Sequence, residues 1–432
     1  MKRTIYILSG IILVLAIGLI AILIFMKNQP AQTRGVQPIV NIPTKEPDSS
    51  IWGENFPNQY TTLLQTKDNN TSTTYGGSEP YSKLEQDPRL VELFAGYSFS
   101  KDYNEERGHM NSLTDVRQTK RVNETTPGTC YSCKSSQNPV LWEQMGMAEY
   151  DHTPFAELGK QINQPIGCAN CHEAGTMKLI VTNPALEEAL KKQGLDWTTF
   201  TRQEMRTVVC GNCHVEYYFA GAGKYLTFPW ENGRTIEDIS NYYQQIGFKD
   251  WDHPDSGAPM IKMQHPEFEM YTNNSTHYKA GVACADCHMP YIRDGAAKFS
   301  DHNVKSPLQN AESACGQCHT DVAYVTDRVA TIQGQVRQTM DTTEDTLVAA
   351  INAIKAAAAT SNVDTKFLDE ARNLHREAQL RWDFVAAENS MGFHNPEEIL
   401  RILAASTDLA HKAELKAIQA AGSPQVIQSA GQ

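Results

Sequence analysis

The chain has 432 residues, of which 41% are hydrophobic and 20% charged, a balance that excludes a disordered or fibrous protein. Its formal net charge is −12, and no long cluster of lysine and arginine follows the first thirty residues. This charge distribution argues against a nucleic-acid-binding role.

The N-terminus predicts an export or anchoring segment. Two basic residues precede an apolar run from about Ile5 to Met26, which is long enough to span a bilayer. We favour an uncleaved anchor over residues 1–27 and keep a cleaved signal as the alternative. Positive charge on the N-terminal side favours a cytoplasmic N-terminus. The body of the protein is then expected on the periplasmic or exoplasmic side of the cytoplasmic membrane. Residues 28–50 hold four prolines among polar residues and predict an extended linker.

All ten cysteines fall into five Cys-x-x-Cys pairs within residues 51–326, and we number these motifs 1 to 5 in chain order. Disulfides, zinc, redox dithiols and haem attachment compete as interpretations, and the residue after each pair discriminates between them. A histidine follows four pairs, which zinc would not explain and covalent haem c would. The pairs are Cys130/Cys133, Cys168/Cys171, Cys210/Cys213, Cys284/Cys287 and Cys315/Cys318, and the following residues are Lys134, His172, His214, His288 and His319.

Motif 1 departs from the others because lysine takes the place of histidine. A lysine amine can bind iron if desolvation and the metal lower its pKa. An iron with Lys134 on one side and a vacant position on the other would be a reaction site and not a relay. A degraded motif without haem is the alternative.

The overall pattern predicts a mainly α fold: a multihaem cytochrome c with an irregular, haem-packed core over residues 51–326 and long C-terminal helices over residues 327–432. The core segment is rich in glycine, proline, asparagine and threonine and shows no strand-period alternation. Long helices are predicted at 327–360, 363–392 and 396–421, and Asn395 and Glu398 suggest a capping box for the last one. An apolar stripe on the middle helix would pack either on the haem core or in a dimer seam; it consists of Leu368, Ala371, Leu374, Ala378, Trp382 and Val385.

Low-spin haems need a second axial ligand, and the sequence offers more histidines than the four required. His375 and His411, both within predicted helices, best fit surface positions. The histidines outside the motifs are His109, His152, His253, His265, His277, His302, His375, His394 and His411.

The chain resembles pentahaem cytochrome c nitrite reductase, the ammonia-forming enzyme, in its calcium-containing form. The resemblance runs from about Tyr60 to Asn395. It rests on the five motifs together with Arg107-Gly108-His109, the segment from Cys210 to Phe219, and Lys262-Met263-Gln264-His265-Pro266.

The resemblance implies five covalently bound haems, and it implies a second axial ligand for four of them. Haem 1 takes Lys134 and keeps its other side open for substrate. The motif histidines and their distal partners are His172 with His302, His214 with His109, His288 with His394, and His319 with His277.

The resemblance also implies a catalytic pocket beside Lys134, formed by His265, Tyr217 and an arginine. Arg121 matches the arginine best, and Arg117 is the weaker candidate. Arginine and histidine can bind an anion and its departing oxygens, and tyrosine can donate a proton. For Tyr217, plain aromatic packing is the alternative.

A calcium site near this pocket is the resemblance's further implication. Its ligands would be the carboxylate of Glu216, the carbonyls of Tyr217 and Lys262, and the side-chain oxygen of Gln264. An all-oxygen set suits Ca²⁺. Some relatives replace the ion with an arginine, and a plain salt bridge by Glu216 is also open.

The implied function is six-electron reduction of nitrite to ammonium at the lysine-ligated haem, with four bis-histidine haems relaying electrons. The alternative is a multihaem electron conduit without catalysis of its own, which predicts a second ligand on every iron. Implied partners are nitrite, a membrane quinol-oxidising cytochrome c subunit as electron donor, and a second copy of the chain. The homodimer would form through the 327–432 region, which also completes the core by supplying His394.

Overall fold

The computed structural model describes Leu15, Gly18 and residues 38–105, 107–123 and 125–422. The proposed anchor therefore lies almost entirely outside the described residues. Among the described residues, no helix has both the length and the apolar character needed to cross a membrane. Residues 42–432 form one compact unit, and the following description concerns that unit.

The described chain is mainly helical, which confirms the predicted fold class. Most helices before residue 320 are short: α1 Ser49–Asn55, α2 Pro57–Gln65, α3 Lys83–Gln86, α4 Arg89–Leu93, α5 Ser112–Gln118, α6 Asn138–His152, α7 Phe155–Leu158, α8 Pro184–Lys192, α9 Arg202–Val208, α10 Ile236–Gln245, α11 Glu267–Thr272, α12 Thr276–Lys279, α13 Cys284–His288 and α14 Ala311–Ala314. Three long helices follow: α15 Val322–Ala358, α16 Thr365–Ala386 and α17 Pro396–Ala420.

The strands in the described residues form four antiparallel two-stranded hairpins and no larger sheet. This agrees with the absence of strand-period alternation in the sequence. The hairpins pair β1 Ser72–Thr73 with β2 Gly76–Gly77, β3 Tyr218–Ala220 with β4 Tyr225–Thr227, β5 Trp251–Asp252 with β6 Pro259–Met260, and β7 Tyr291–Asp294 with β8 Ala297–Ser300.

Single helical turns carry the first part of most cysteine motifs. Short 3-10 helices occur at Gly128–Tyr131, Cys168–Asn170 and Val209–Asn212, and α13 begins at Cys284 itself. A helical turn places residues three apart on the same side of the backbone, so both sulfurs of a pair can face one ligand.

The three long helices pack on one another, and their apolar faces form the main core with the segment that precedes them. Five of the six residues of the α16 stripe are buried within the chain, and Leu374 is half-buried. The stripe therefore packs inside the protomer, and the dimer-seam interpretation of it was wrong.

Two local expectations also need correction. Asn395 precedes α17 as predicted, but its side chain donates to the carbonyls of Met270 and Asn273 instead of capping the helix. His375 is fully buried between Ser256 and Gln379, because α16 turns that face toward the core. His411 is exposed, as expected.

Candidate haem sites and active centre

Four histidine pairs stand at one separation, with ring centroids 6.2 to 6.5 Å apart. Two imidazoles that share a metal through bonds of about 2 Å would place their centroids roughly 6.3 Å apart. Each pair joins a motif histidine to a distant one, as the resemblance implies. The pairs are His109–His214, His172–His302, His277–His319 and His288–His394.

Hydrogen bonds at Nδ1 orient several of these rings. Nδ1 of His172 lies 3.0 Å from the carbonyl of Met177, and Nδ1 of His302 lies 2.8 Å from that of Ser300. His288 makes the same contact with Lys305, at 3.0 Å. A carbonyl partner fixes the proton on Nδ1 and leaves Nε2 as the lone-pair donor for a metal.

Burial keeps the same imidazoles neutral, as metal ligands must be. It lowers the pKa of His172 and the pKa of His288 to about 4 in each case. His394 differs, because its Nδ1 contacts the fully buried carboxylate of Glu388, and that contact raises the pKa of His394 in spite of burial. A carboxylate on Nδ1 would make this imidazole a stronger donor to a metal.

All ten cysteines are free thiols, and nine of them are half-buried; only Cys318 is exposed. No disulfide therefore competes for the sulfurs. Paired free thiols beside paired imidazoles are the donor set that covalent haem c requires, so the residues of motifs 2 to 5 fit four such groups.

The thiols of different motifs meet in an order that differs from chain order. Sγ of Cys133 in motif 1 lies 3.8 Å from the carbonyl of Asn212 inside motif 3, and the thiol of Cys133 raises the pKa of Cys213. The thiol of Cys210, also of motif 3, raises the pKa of Cys284 in motif 4. Burial raises the pKa of Cys287 in motif 4, and the charge of Cys315 in motif 5 raises it further, which indicates that these two motifs are neighbours. Motifs 1, 3, 4 and 5 are thus consecutive neighbours.

Motif 1 presents an amine in place of an imidazole. Ser112 donates to the carbonyl of Lys134 at 2.8 Å, and the amide of Lys134 donates to Tyr131 at 2.9 Å. Within the described part of the chain, the ε-ammonium itself has no hydrogen bond or ion pair. Its charge lowers the pKa of Cys133 and of His109, which places it among the haem-attachment groups.

His265 lies beside motif 3 and shares a carboxylate with it. Nδ1 of His265 is 3.9 Å from Oε1 of Glu267, and Nδ1 of His214 is 3.8 Å from the same atom. The His265 and His214 centroids are 6.4 Å apart, but both rings turn Nδ1 toward Glu267. Two imidazoles bound to one metal through Nε2 would turn their Nδ1 atoms away from each other. The ring geometry therefore favours His109 over His265 as the partner of His214.

The structure separates the two arginine candidates. Arg117 is engaged by the backbone, since its Nη2 donates to Gly159 at 3.1 Å and to Ile162 at 2.5 Å. Arg121 instead acts electrostatically on Cys130 and Tyr217. Burial raises the pKa of Tyr217 well above its usual value, the nearby thiols raise it further, and Arg121 opposes both effects.

Three of the four residues proposed as calcium ligands, Glu216, Lys262 and Gln264, are linked by hydrogen bonds. The carboxylate of Glu216 accepts from the Gln264 amide at 2.6 Å and from the Tyr243 hydroxyl at 2.8 Å. Nε2 of the Gln264 side chain donates to the carbonyl of Lys262 at 3.0 Å. Three of the four proposed oxygen sources thus come from one buried cluster.

This cluster carries an excess of buried carboxylates. Glu216, Glu269 and Asp383 are fully buried; the ammonium of Lys262 lies 2.7 Å from Asp383, and the guanidinium of Arg234 acts electrostatically on Glu269. Burial raises the pKa of Glu269 to about 8, and one of its carboxylate oxygens has no hydrogen-bond partner. Buried negative charge without a counter-ion is costly, so a divalent cation fits these residues.

Sequence reasoning missed three acidic residues that orient this site: Glu267, Asp383 and Glu388. Asp383 accepts from Nζ of Lys262 and from the amide of Met263, so it fixes the segment that carries the proposed calcium ligands. Its position on a buried helix face, next to Trp382, was the available signal.

Comparison with known proteins gives consistent matches along most of the chain. The family Cytochrome c552 matches residues 48–430. A cytochrome c-552 of Parabacteroides distasonis is 41% identical over 378 residues, 84% of this chain and 74% of that protein. A cytochrome c-552 of Bacteroides fragilis is 40% identical over 384 residues, 87% of this chain and 78% of that protein.

Among solved structures, the cytochrome c nitrite reductase of Desulfovibrio desulfuricans, described with two calcium sites, is similar with a TM-score of 0.84 and 36% identity. The similarity covers 89% of this chain and 88% of that one. The family match and the level of identity across most of both chains show that this chain belongs to the cytochrome c552 family.

Proposed function

We propose that this protein reduces nitrite to ammonium at motif 1 and that motifs 2 to 5 serve electron delivery. The observation that carries the proposal is the contrast between the motifs: four motif histidines each face a second histidine, whereas Lys134 stands among Arg121, Tyr217 and the motif 1 thiols. The similar nitrite reductase of D. desulfuricans supports the same activity.

The bound haems would supply electrons and one open coordination position. Reduction of nitrite to ammonium and two waters takes six electrons and eight protons. Arg121 would bind the anion through charge-assisted hydrogen bonds. His265 and Tyr217 would hold protons close to the reacting oxygens, and Glu267 would fix the His265 ring through Nδ1.

We propose a calcium ion among Glu216, Tyr217, Lys262 and Gln264. Its charge would compensate the excess of buried carboxylates and would keep the Lys262–His265 segment in place. A chelator should lower nitrite turnover and thermal stability, and added Ca²⁺ should restore both. Full turnover after complete removal of calcium would contradict the site.

We also propose three features of the protein's setting. The apolar N-terminal segment would tether the protein to the outer side of the cytoplasmic membrane. A quinol-oxidising cytochrome c subunit in that membrane would donate electrons. Two copies would form a homodimer through the outer faces of α15 and α17.

The Lys134→Leu variant tests the central proposal. We expect it to lose ammonium formation from nitrite, while absorption spectroscopy still shows four bis-histidine haems. Lys192→Leu is a matched control, because this lysine is exposed at the end of α8. Normal turnover in Lys134→Leu, or a wild-type spectrum that nitrite does not alter, would favour an electron conduit instead.

A further inference from the structure

Two contacts hold the guanidinium of Arg121: a hydrogen bond made by Nε, and an aromatic ring that lies over one face of the guanidinium plane. Its Nε donates to the Thr119 hydroxyl at 3.1 Å. Its central carbon lies 4.1 Å from the centre of the Phe99 ring, a close cation–π contact. Within the described residues, its two terminal amino groups have no hydrogen-bond partner, so both can donate to a bound anion. We call these two amino groups the fork of Arg121.

The Thr119 hydroxyl is itself oriented by a buried acid. It donates to Oδ2 of Asp102 at 2.6 Å, and the amide of Lys120 donates to the same oxygen at 2.8 Å. Asn104 donates to the other carboxylate oxygen at 2.9 Å. A hydroxyl has a single proton, so Thr119 must offer a lone pair to Arg121. Arginine can only donate, so the role of Asp102 is to take the Thr119 proton and thereby to orient a hydroxyl lone pair toward Nε of Arg121.

The Phe99 ring is also fixed by its neighbours. Tyr103 meets it edge-on at 5.0 Å, and Tyr97 stacks on it at 5.8 Å. The ammonium of Lys262 lies over the same ring at 4.9 Å. Phe99 thus connects Arg121 to the residue whose carbonyl is proposed as a calcium ligand.

We propose that Asp102, Thr119 and Phe99 are positioning residues that hold Arg121 as a forked clamp for the substrate anion. This inference rests on the proposed function and extends it by naming the residues that orient Arg121. A planar fork matches an anion with two oxygens, such as nitrite. Because Arg121 is already ordered before the anion binds, binding does not cost the conformational entropy of fixing a long side chain.

Two variants of the haem-loaded protein test the inference: Phe99→Leu and Thr119→Val. Phe367→Leu is the matched control for the ring, because Lys416 lies 4.8 Å over Phe367 in the C-terminal helices. Thr198→Val is the control for the hydroxyl, because Thr198 also donates to an aspartate, Asp196, at 2.7 Å. Five-haem spectra and thermal unfolding report whether each variant is folded.

Optical titration of the oxidised protein should compare nitrite with hydroxylamine, which is uncharged near neutral pH. We expect each variant to weaken nitrite binding by ~10-fold, as loss of one contact to a charged group implies. Hydroxylamine binding should change by less than about twofold, because a neutral ligand gains little from the clamp. In turnover, KM for nitrite should rise more than kcat falls. Phe99→Tyr, which keeps the ring, should bind nitrite like wild type.

The outcomes distinguish the inference from the function on which it rests. Unchanged nitrite affinity in both variants would overturn the positioning role and leave ammonium formation by wild type untouched. An equal loss of nitrite and hydroxylamine binding would also overturn it, because the whole pocket would then be damaged. A wild-type protein that bound no nitrite would overturn both.

Discussion

At the residue scale, Lys262 and Asp383 form an ion pair that water barely reaches, with both side chains 1% exposed. Breaking such a pair from one side leaves a buried charge without a partner, which costs about 3–5 kcal/mol. We therefore expect Lys262→Met to lower the free energy of unfolding by about that amount, measured by denaturant titration. Lys249→Met is the control, because the Lys249–Asp252 pair is exposed and should contribute about 1 kcal/mol at most. Equal losses in the two variants would contradict this account.

A second residue-scale prediction concerns Asp151, which is fully buried. One carboxylate oxygen accepts from the Leu226 amide at 3.1 Å, and the other has no partner. Burial raises the pKa of Asp151 to about 7 in the folded protein. The folded state therefore binds a proton that the unfolded state releases above about pH 4. Stability from this group is fully present below that pH and is lost as the pH rises through about 7.

The Asp151→Asn variant isolates this effect, because asparagine can accept the same hydrogen bond but does not titrate. The difference in stability between wild type and variant should change with pH between about 4 and 7, by up to about 1.4 kcal/mol per pH unit for one proton. Chemical unfolding at several pH values measures it. A pH-independent difference would show that Asp151 titrates normally.

What the sequence could predict at this scale depends on how local the signal is. The cysteines predicted to attach haem and Lys134 stand in contiguous motifs, so spacing alone is enough to predict them. Asp383 and Glu388 act through residues that are distant in the sequence or lie across a turn, and only the folded chain brings the partners together. The sequence suggested Lys262 only as a calcium ligand through its carbonyl. The structure shows that its ammonium also forms the buried ion pair with Asp383.

At the element scale, a charged cluster joins the start of α4 to the long helix α15. Arg89 contacts Asp87 at 2.7 Å, Asp341 at 2.6 Å and Glu344 at 2.6 Å. Arg337 contacts the same three acids, so the carboxylates are satisfied by arginine and need no metal. The cluster therefore fixes the N-terminal part of the core to the C-terminal helices.

Removing Arg89 should weaken this connection. Glu344 is 1% exposed and would lose one of its two arginine partners, so Arg89→Ala should lower the free energy of unfolding by about 1–3 kcal/mol. Arg401→Ala is the matched control, because Arg401 also contacts two acids but is 48% exposed. Denaturant unfolding of both variants is the measurement, and no difference between them would contradict the role of the cluster.

Element boundaries were predictable where helical periodicity was long. The three C-terminal helices were expected at 327–360, 363–392 and 396–421, and they occur at Val322–Ala358, Thr365–Ala386 and Pro396–Ala420. The capping box failed because Asn395 is needed elsewhere: its amide satisfies two carbonyls at the end of α11. A local signal was overridden by a tertiary hydrogen bond, which no local pattern reveals.

At the scale of the whole molecule, the order of the motifs in space could not be derived from their order in the chain. Motif 3 touches both motif 1 and motif 4, because thiols from separate segments meet there. Under the proposed function, electrons from haems at motifs 4 and 5 would reach motif 1 through motif 3. Motif spacing alone says nothing about such contacts, since each motif is a local pattern that does not depend on the others.

The apolar stripe of α16 is buried inside the protomer, so a homodimer would have to form through another surface. The outer faces of α15 and α17 instead border a shallow groove with mostly small or uncharged side chains, among them Gln338, Thr342, Ala404 and Thr407. Small residues let helices approach closely. The proposed homodimer would therefore use this outer surface.

The Ala404→Glu variant tests that surface. Ala404 is exposed in the protomer, so the substitution should leave folding intact, whereas a carboxylate placed in a closely packed dimer interface would be desolvated without a partner. We expect the dimer to weaken at least ~10-fold, measured by sedimentation velocity across a concentration series. Ala148→Glu, at an exposed alanine of α6, is the control and should assemble like wild type. If Ala404→Glu assembled as tightly as the control, the two copies would have to meet through another face.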